Sequence, residues 1–114
     1  MVVAQGDIWW ADLDEPKGSE PGYRRPVIIV QGDAFNRSDI ATVVCVPMTT
    51  SLHLADAPGN ILVPAKVSKL PKDSVANVSQ ITTFDREVLT ERAGRLSQSY
   101  LLAVLNGIDT VLGR

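Results

Sequence analysis

RRPVIIVQGDAFNRSDIATVVCVPMTTS, residues 24–51, decides the fold. Its first half holds PVIIVQ, a β-branched run bounded by Pro26 and the Gly32-Asp33 pair. Such a run shows no polar alternation and predicts a strand buried on both faces. The second apolar run, IATVVCVPM at 40–48, predicts another strand of the same kind. Between them, GDAFNRSD is turn chemistry with room for one helical turn. If the two strands run antiparallel, as this connection permits, the start of the first lies beside the end of the second. Arg25 and Thr49 then share one rim of the sheet.

Outward from this pair, GDIWWADLD at 6–14 alternates as a first strand, with Ile8 and Trp10 on one face and Trp9 and Ala11 on the other. One of the two tryptophans belongs to the core, and the other is a candidate stacking or interface surface. NILVPA, SVANVSQITTF and RAGRL read as further short strands, with a lysine-bearing connection at 66–73. The end is helical: SQSYLLAVLNGIDTVL opens on Ser97 as N-cap, and Leu101, Leu105, Ile108 and Leu112 form an apolar stripe. Gly107 inside that helix weakens it. The expected architecture is mainly β (α+β), a small barrel or strongly curved sheet closed by a carboxy-terminal helix, in one domain spanning 1–114. Two loops, 14–24 and 49–59, exceed the ordinary connection of about 4–6 residues and are the expected carriers of function.

The bulk composition narrows the class. At 114 residues the chain has room for one core, and its 45% hydrophobic content excludes a disordered protein. No apolar run reaches the ~20 residues of a membrane helix, and the start has no basic segment leading an apolar one, so a cytoplasmic protein is expected. A single cysteine, Cys45, lies within an apolar run and reads as a buried, reduced thiol; with the single His53 it does not make a structural zinc site. A net charge of −2 argues against a broad basic nucleic-acid binder, but not against an enzyme gripping a few phosphates.

No nucleophile elbow or phosphate-cradling glycine loop is present, and no Cys/His pair stands at a recognised spacing. What the sequence does offer is a guanidinium (Arg25), a hydroxyl (Thr49) and a loop carboxylate (Glu20) that converge on one rim. Such a set suits phosphodiester chemistry on RNA, which brings its own 2′-OH nucleophile. Arginine neutralises the phosphate, threonine donates a hydrogen bond, and a carboxylate accepts the proton. This chemistry requires neither metal nor cofactor. The same residues also fit a plainer role, with the arginines as surface charges paired to Glu20 or Asp33 and the threonines satisfying turn backbone.

GDIWWADLDEPKGSEPGYRRPVIIVQGDAFN resembles the amino-terminal signature of the MazF/PemK toxins. VVCVPMTTS is similar to the family's second block, DSVANVSQITTFDR to its third, and RAGRLSQSYLLAVLNGIDTVLG to its last strand and helix. The four blocks occur in order over nearly the whole chain. The resemblance implies an SH3-like barrel of the CcdB/PemK type that forms a homodimer. It also implies a sequence-specific, ribosome-independent endoribonuclease acting on single-stranded RNA (mRNA, tRNA or rRNA) and leaving a 2′,3′-cyclic phosphate and a 5′-hydroxyl. The family's catalytic positions fall on Arg25, Thr49 and Glu20, with RNA contacts expected at Arg24, Thr50, Ser51, His53 and Gln80. A MazE-like antitoxin would lay an acidic segment over the same groove. Two positions depart from the pattern: Ser79 stands where many members carry an acidic residue, and Thr82 where they carry an arginine. Two other readings stay open: a non-enzymatic poison of DNA gyrase, like the CcdB relatives, and a module that only binds antitoxin or RNA.

Overall fold

The computed structural model describes residues 2–14, 18 and 23–114. Strands run in the order β1 (Asp7–Asp12), β2 (Arg24–Ile29), β3 (Thr42–Thr49), β4 (Ile61–Val63), β5 (Ser74–Ala76), β6 (Thr82–Asp85) and β7 (Leu89–Arg95). Short helices α1 (Asp33–Asn36) and α2 (Ala65–Ser68) and three 3₁₀ turns lie between them, and α3 (Gln98–Leu112) closes the chain. The sheet is antiparallel throughout, ordered β4-β5-β3-β2-β1-β7, with β6 also on β3. It is a curled half-barrel, mainly β, with a carboxy-terminal helix packed into its concave side.

The long strand β3 makes the curl. One edge pairs with β2 in the register Val27↔Pro47, Ile28↔Val46, Ile29↔Cys45. The other edge pairs first with β6, from Thr42↔Asp85 to Cys45↔Thr82, and then with β5, at Met48↔Ala76 and Thr49↔Val75. The change of partner falls at Val46 and Pro47. In an extended strand a residue's N–H and C=O point to the same side. The Pro47 carbonyl accepts the Asn77 N–H at 3.0 Å, so its missing donor also faces that side. There a 3₁₀ turn (Val78–Gln80), not a strand, passes by. A proline, itself fully buried, is therefore tolerated in a central strand because it stands where no ladder bond is due.

Strand alternation divides the apolar residues between two cores. Ile8, Ile28, Val46 and Met48 face Leu101 and Val104 of α3. Trp9, Ala11, Val27, Ile29, Val43 and Cys45 form the second core on the opposite face. Both buried strands are as the sequence predicts: Val27, Ile28 and Ile29 are fully buried, as are Val43, Cys45 and Val46.

Several boundaries differ from expectation. β2 starts at Arg24, before Pro26, because β1 supplies partners as far as Asp12↔Arg24. SVANVSQITTF is two strands, since the 3₁₀ turn at Val78–Gln80 turns the chain from one half of β3 to the other. β7 begins at Leu89, earlier than RAGRL implies, because it pairs with β1 from Asp7 as far as Ala11.

Ser97 occupies the N-cap position of α3, but its hydroxyl lies 3.3 Å from that of Ser99 and caps no backbone N–H. Leu101, Val104 and Gly107 of α3 are buried, and Leu105 and Ile108 pack half-buried against the same core as expected, while Leu112 is exposed. Gly107 lies on this packed face. Its backbone meets the turn at Gly59 (φ +82°), and a Cβ on Gly107 would overlap the Gly59 carbonyl. The glycine thus buys contact between helix and turn that any side chain would prevent.

Two outcomes are expected. Gly107→Ala gains ~1 kcal/mol of helix propensity but meets an overpacking cost of ~1–3 kcal/mol, so thermal denaturation should show a lowered Tm. A raised Tm would refute the close contact. Burial pushes the Cys45 thiol from its ordinary 9.0 up to about 12. It should resist iodoacetamide in the native protein at pH 8 and react on unfolding. Because the fold favours the neutral thiol, its contribution to stability is complete below about pH 9 and is lost as pH rises toward 12.

Candidate active site

Pro26 opens the site. Continuing the β2–β3 register past Val27↔Pro47 sets Pro26 opposite Met48 and Arg25 opposite Thr49. The Val30 N–H bonds to the Val44 carbonyl at 3.1 Å, so even-numbered residues of both strands turn their polar groups toward each other. Pro26 is the next even residue due to donate, and it has no N–H. The paired ladder accordingly ends at Val27. Beyond it the two strands border a cleft of about 350 Å³ with Arg25, Pro26, Met48 and Thr49 in its lining.

Arg25 and Thr49 lie on the same sheet face by alternation, in line with Val27 and Cys45 respectively. Both are half-buried. Thr49 Oγ1 accepts the Ser51 N–H at 3.2 Å, which fixes the hydroxyl and leaves its proton to donate. This turn bond is the plainer role foreseen for such threonines, and it holds the hydroxyl oxygen in place beside the cleft. Arg24 and Trp10 extend one wall. The Arg24 guanidinium sits 4.3 Å from the Trp10 ring centroid and is tethered by Glu91 at 3.0 Å and Asp12 at 4.0 Å. Trp9 is buried on the other face, so the tryptophans divide as expected.

The opposite bank comes from the connection between α2 and β5, where Leu70, Pro71, Lys72 and Ser74 line the cleft. Leu70 is buried in the concave core and anchors this segment. Among the described residues three cations, Arg24, Arg25 and Lys72, and no carboxylate line the cleft. A chain of net charge −2 therefore concentrates positive charge at one place.

The other expected site residues divide. Thr50 lines the cleft. Ser51 is exposed just beyond it and contributes its N–H to Thr49. His53 is exposed on the 3₁₀ turn Leu52–Asp56 and is not part of the cleft lining. Gln80 also lies outside the lining, half-buried, with its Oε1 accepting Asn77 Nδ2 at 3.2 Å. Asn77 and Asn60 are joined in turn at 3.1 Å, and Asn60 holds the Leu54 carbonyl and the Val78 N–H. Gln80 thus belongs to an amide network that pins the 49–59 loop. Ser79 is exposed beside it, and Thr82 pairs with Cys45, further down β3 than the cleft. Glu20 lies outside the described residues.

The sequence reading missed the second bank. Nothing local to Lys72 marks it. The β3–β5 register, Thr49↔Val75, is what carries the preceding loop to the cleft.

Replacing Arg24 by Ala should uncover one face of Trp10. Acrylamide quenching of tryptophan emission is expected to increase, with a stability loss of only about 0.5–1 kcal/mol because the ion pairs are exposed. Unchanged quenching would show that the guanidinium does not cover the indole.

The profile of the family described as "PemK-like, MazF-like toxin of type II toxin-antitoxin system" matches residues 4–112. The chain is 43% identical over 112 residues to "Endoribonuclease MazF6" of Mycobacterium tuberculosis, covering 98% of each chain. Its fold superposes on the crystal structure of MazF from Deinococcus radiodurans with a TM-score of 0.82 at 21% identity, covering 100% of this chain and 99% of that one. A second structural match, with a TM-score of 0.75 and 23% identity, is a mycobacterial endoribonuclease in complex with its cognate antitoxin, covering 98% and 94%.

Proposed function

This chain belongs to the PemK-like, MazF-like toxin family of type II toxin–antitoxin systems, and on that premise we propose how its cleft cuts RNA. It is an RNA-cleaving hydrolase, and the reading here is of a sequence-specific, metal-independent one acting on single-stranded RNA. One observation carries this reading: Arg25 and Thr49, from two different strands, border the same cation-lined cleft.

The chemistry follows from those groups. The RNA 2′-oxygen attacks the adjacent phosphorus, and its proton passes to a base. The bond from phosphorus to the 5′-oxygen breaks, and that oxygen leaves as a hydroxyl once protonated. The products are a 2′,3′-cyclic phosphate and a 5′-hydroxyl. Arg25 stays ionised and offsets the charge that builds on the phosphoryl oxygens, a role suited to a group fixed on a stiff strand. The Thr49 hydroxyl, held from behind by the Ser51 N–H, donates to one of those oxygens. Glu20 is the proposed base, and Ser79 leaves no acid at the alternative family position. Thr50 and Arg24 are the proposed RNA contacts nearest the reacting phosphate.

Among the described residues no three metal-ligating side chains gather. No helix among them is long and apolar enough to cross a membrane. The proposed partners are a second copy of the chain and an antitoxin. The antitoxin's acidic segment would complement the three cations of the cleft, so it and RNA would compete.

Arg25→Ala should lower the cleavage rate of a defined single-stranded RNA by about 10²–10³, equivalent to ~2.7–4 kcal/mol. The assay is run in EDTA, with 5′-hydroxyl ends mapped by sequencing. Cleavage at the parental rate by the variant would refute the assignment of Arg25. Intact RNA with the parent protein, together with arrested gyrase, would favour the protein-binding alternative.

A further inference from the structure

We propose that Lys72 is a substrate-binding cation, holding the phosphate next to the one that Arg25 and Thr49 act on, so that the RNA strand crosses the cleft from β2 to the α2–β5 bank. The proposal rests on the endoribonuclease reading and adds a contact to it.

Four observations carry it. Lys72 lines the cleft on the bank opposite Arg24 and Arg25. It is exposed, and among the described residues no carboxylate pairs with it. The nearest acid in sequence, Asp73, is committed elsewhere: its Oδ1 accepts the Ala65 N–H at 2.8 Å, at the start of α2. The backbone that presents Lys72 is held on both sides, by buried Leu70 and the ring of Pro71 before it and by Ser74 after it. The Ser74 hydroxyl donates to the Lys72 carbonyl at 3.3 Å.

Between the two charged banks apolar groups stand beside the hydroxyls of Thr49, Thr50 and Ser74. Half-buried Trp10 and Pro26 and exposed Pro71 present the apolar surface, over buried Met48 and Leu70. A nucleic-acid strand with phosphates on the two banks would lay a base on these surfaces. That alternation of cations with an apolar platform is the general way single strands are held. Lys66 makes a built-in control. It is exposed on α2 and lies outside the cleft lining.

The test measures binding separately from cleavage. The probe is a mixed-sequence single-stranded oligonucleotide with 2′-deoxyriboses, which has no nucleophile to cut it. Kd is followed against salt for the parent protein, Lys72→Ala, Lys72→Arg and Lys66→Ala. One lost phosphate contact should reduce the slope of log Kd against log salt by about 0.7. In parallel, cleavage of the matching RNA should show a KM raised several-fold in Lys72→Ala with kcat held. Lys72→Arg should restore KM, and Lys66→Ala should leave both unchanged.

A Lys72→Ala slope and KM equal to the parent's would overturn the proposal, as would an equal loss from Lys66→Ala. If the parent binds the oligonucleotide but cuts no RNA, the catalytic reading fails, and the Lys72 contact stands or falls on the slope. If the parent binds no single strand at all, both fail.

Discussion

β3 serves three neighbours, and the rest of the molecule is arranged by how it does so. Its inner edge is committed to β2, whereas its outer edge belongs to β6 at one end and to β5 at the other. A strand that exchanges partners partway cannot stay flat. The sheet curls around that point, and α3 fills the concave side with Leu101 and Val104. Pro47 marks the exchange, since the side on which it lacks a donor is the side where one partner leaves before the next arrives. The 3₁₀ turn that carries the chain across, Val78–Gln80, is fastened there by the amide network of Asn60 and Asn77.

A second missing amide hydrogen shapes the site. Pro26 ends the β2–β3 ladder one step before Arg25 would meet Thr49. The two side chains are thereby kept in register by fully paired backbone on one side and left facing a cleft on the other. Rigid anchorage and open access rarely coincide, because paired strands close the gaps between them. Here one imino acid supplies both. The same logic answers why two arginines precede an apolar run. Alternation sends Arg24 to the face of Trp10, where Glu91 and Asp12 hold it, and Arg25 to the face of Thr49.

Charge is distributed as the small net value alone would not suggest. Some acidic side chains serve structural ends: Asp7, buried, accepts from the Ala4 N–H, the Trp9 indole and the Arg92 guanidinium. The Asp33 carboxyl binds the Gln5 N–H and the Asn36 amide, contacts that hold it below the usual carboxylate range. Among the described residues no acid lines the cleft, so its charged lining groups are all cations, of which Arg24 is paired with Glu91 and Asp12 and Lys72 reaches in from the opposite bank. An anionic strand is the ligand such a surface favours, while the chain as a whole avoids the indiscriminate attraction of a basic protein.

The sequence by itself determined the two buried strands, the closing helix and the family. Each is written in local pattern: β-branched runs without polar alternation, apolar residues at helical spacing, and four blocks in a fixed order. It also set Arg25 and Thr49 on one rim, on the condition that the two strands pair antiparallel, which they do. Tertiary structure decided everything that depends on contacts between segments distant in the chain. The 3₁₀ break in SVANVSQITTF follows from β3 changing partner, and the burial of Gly107 from a turn far upstream. Gln80 and His53 fell outside the cleft lining, and Lys72 within it, because the β3–β5 register positions their loops. No residue in those loops encodes that register locally. It arises only when the curled sheet, its helix and its turns are packed together.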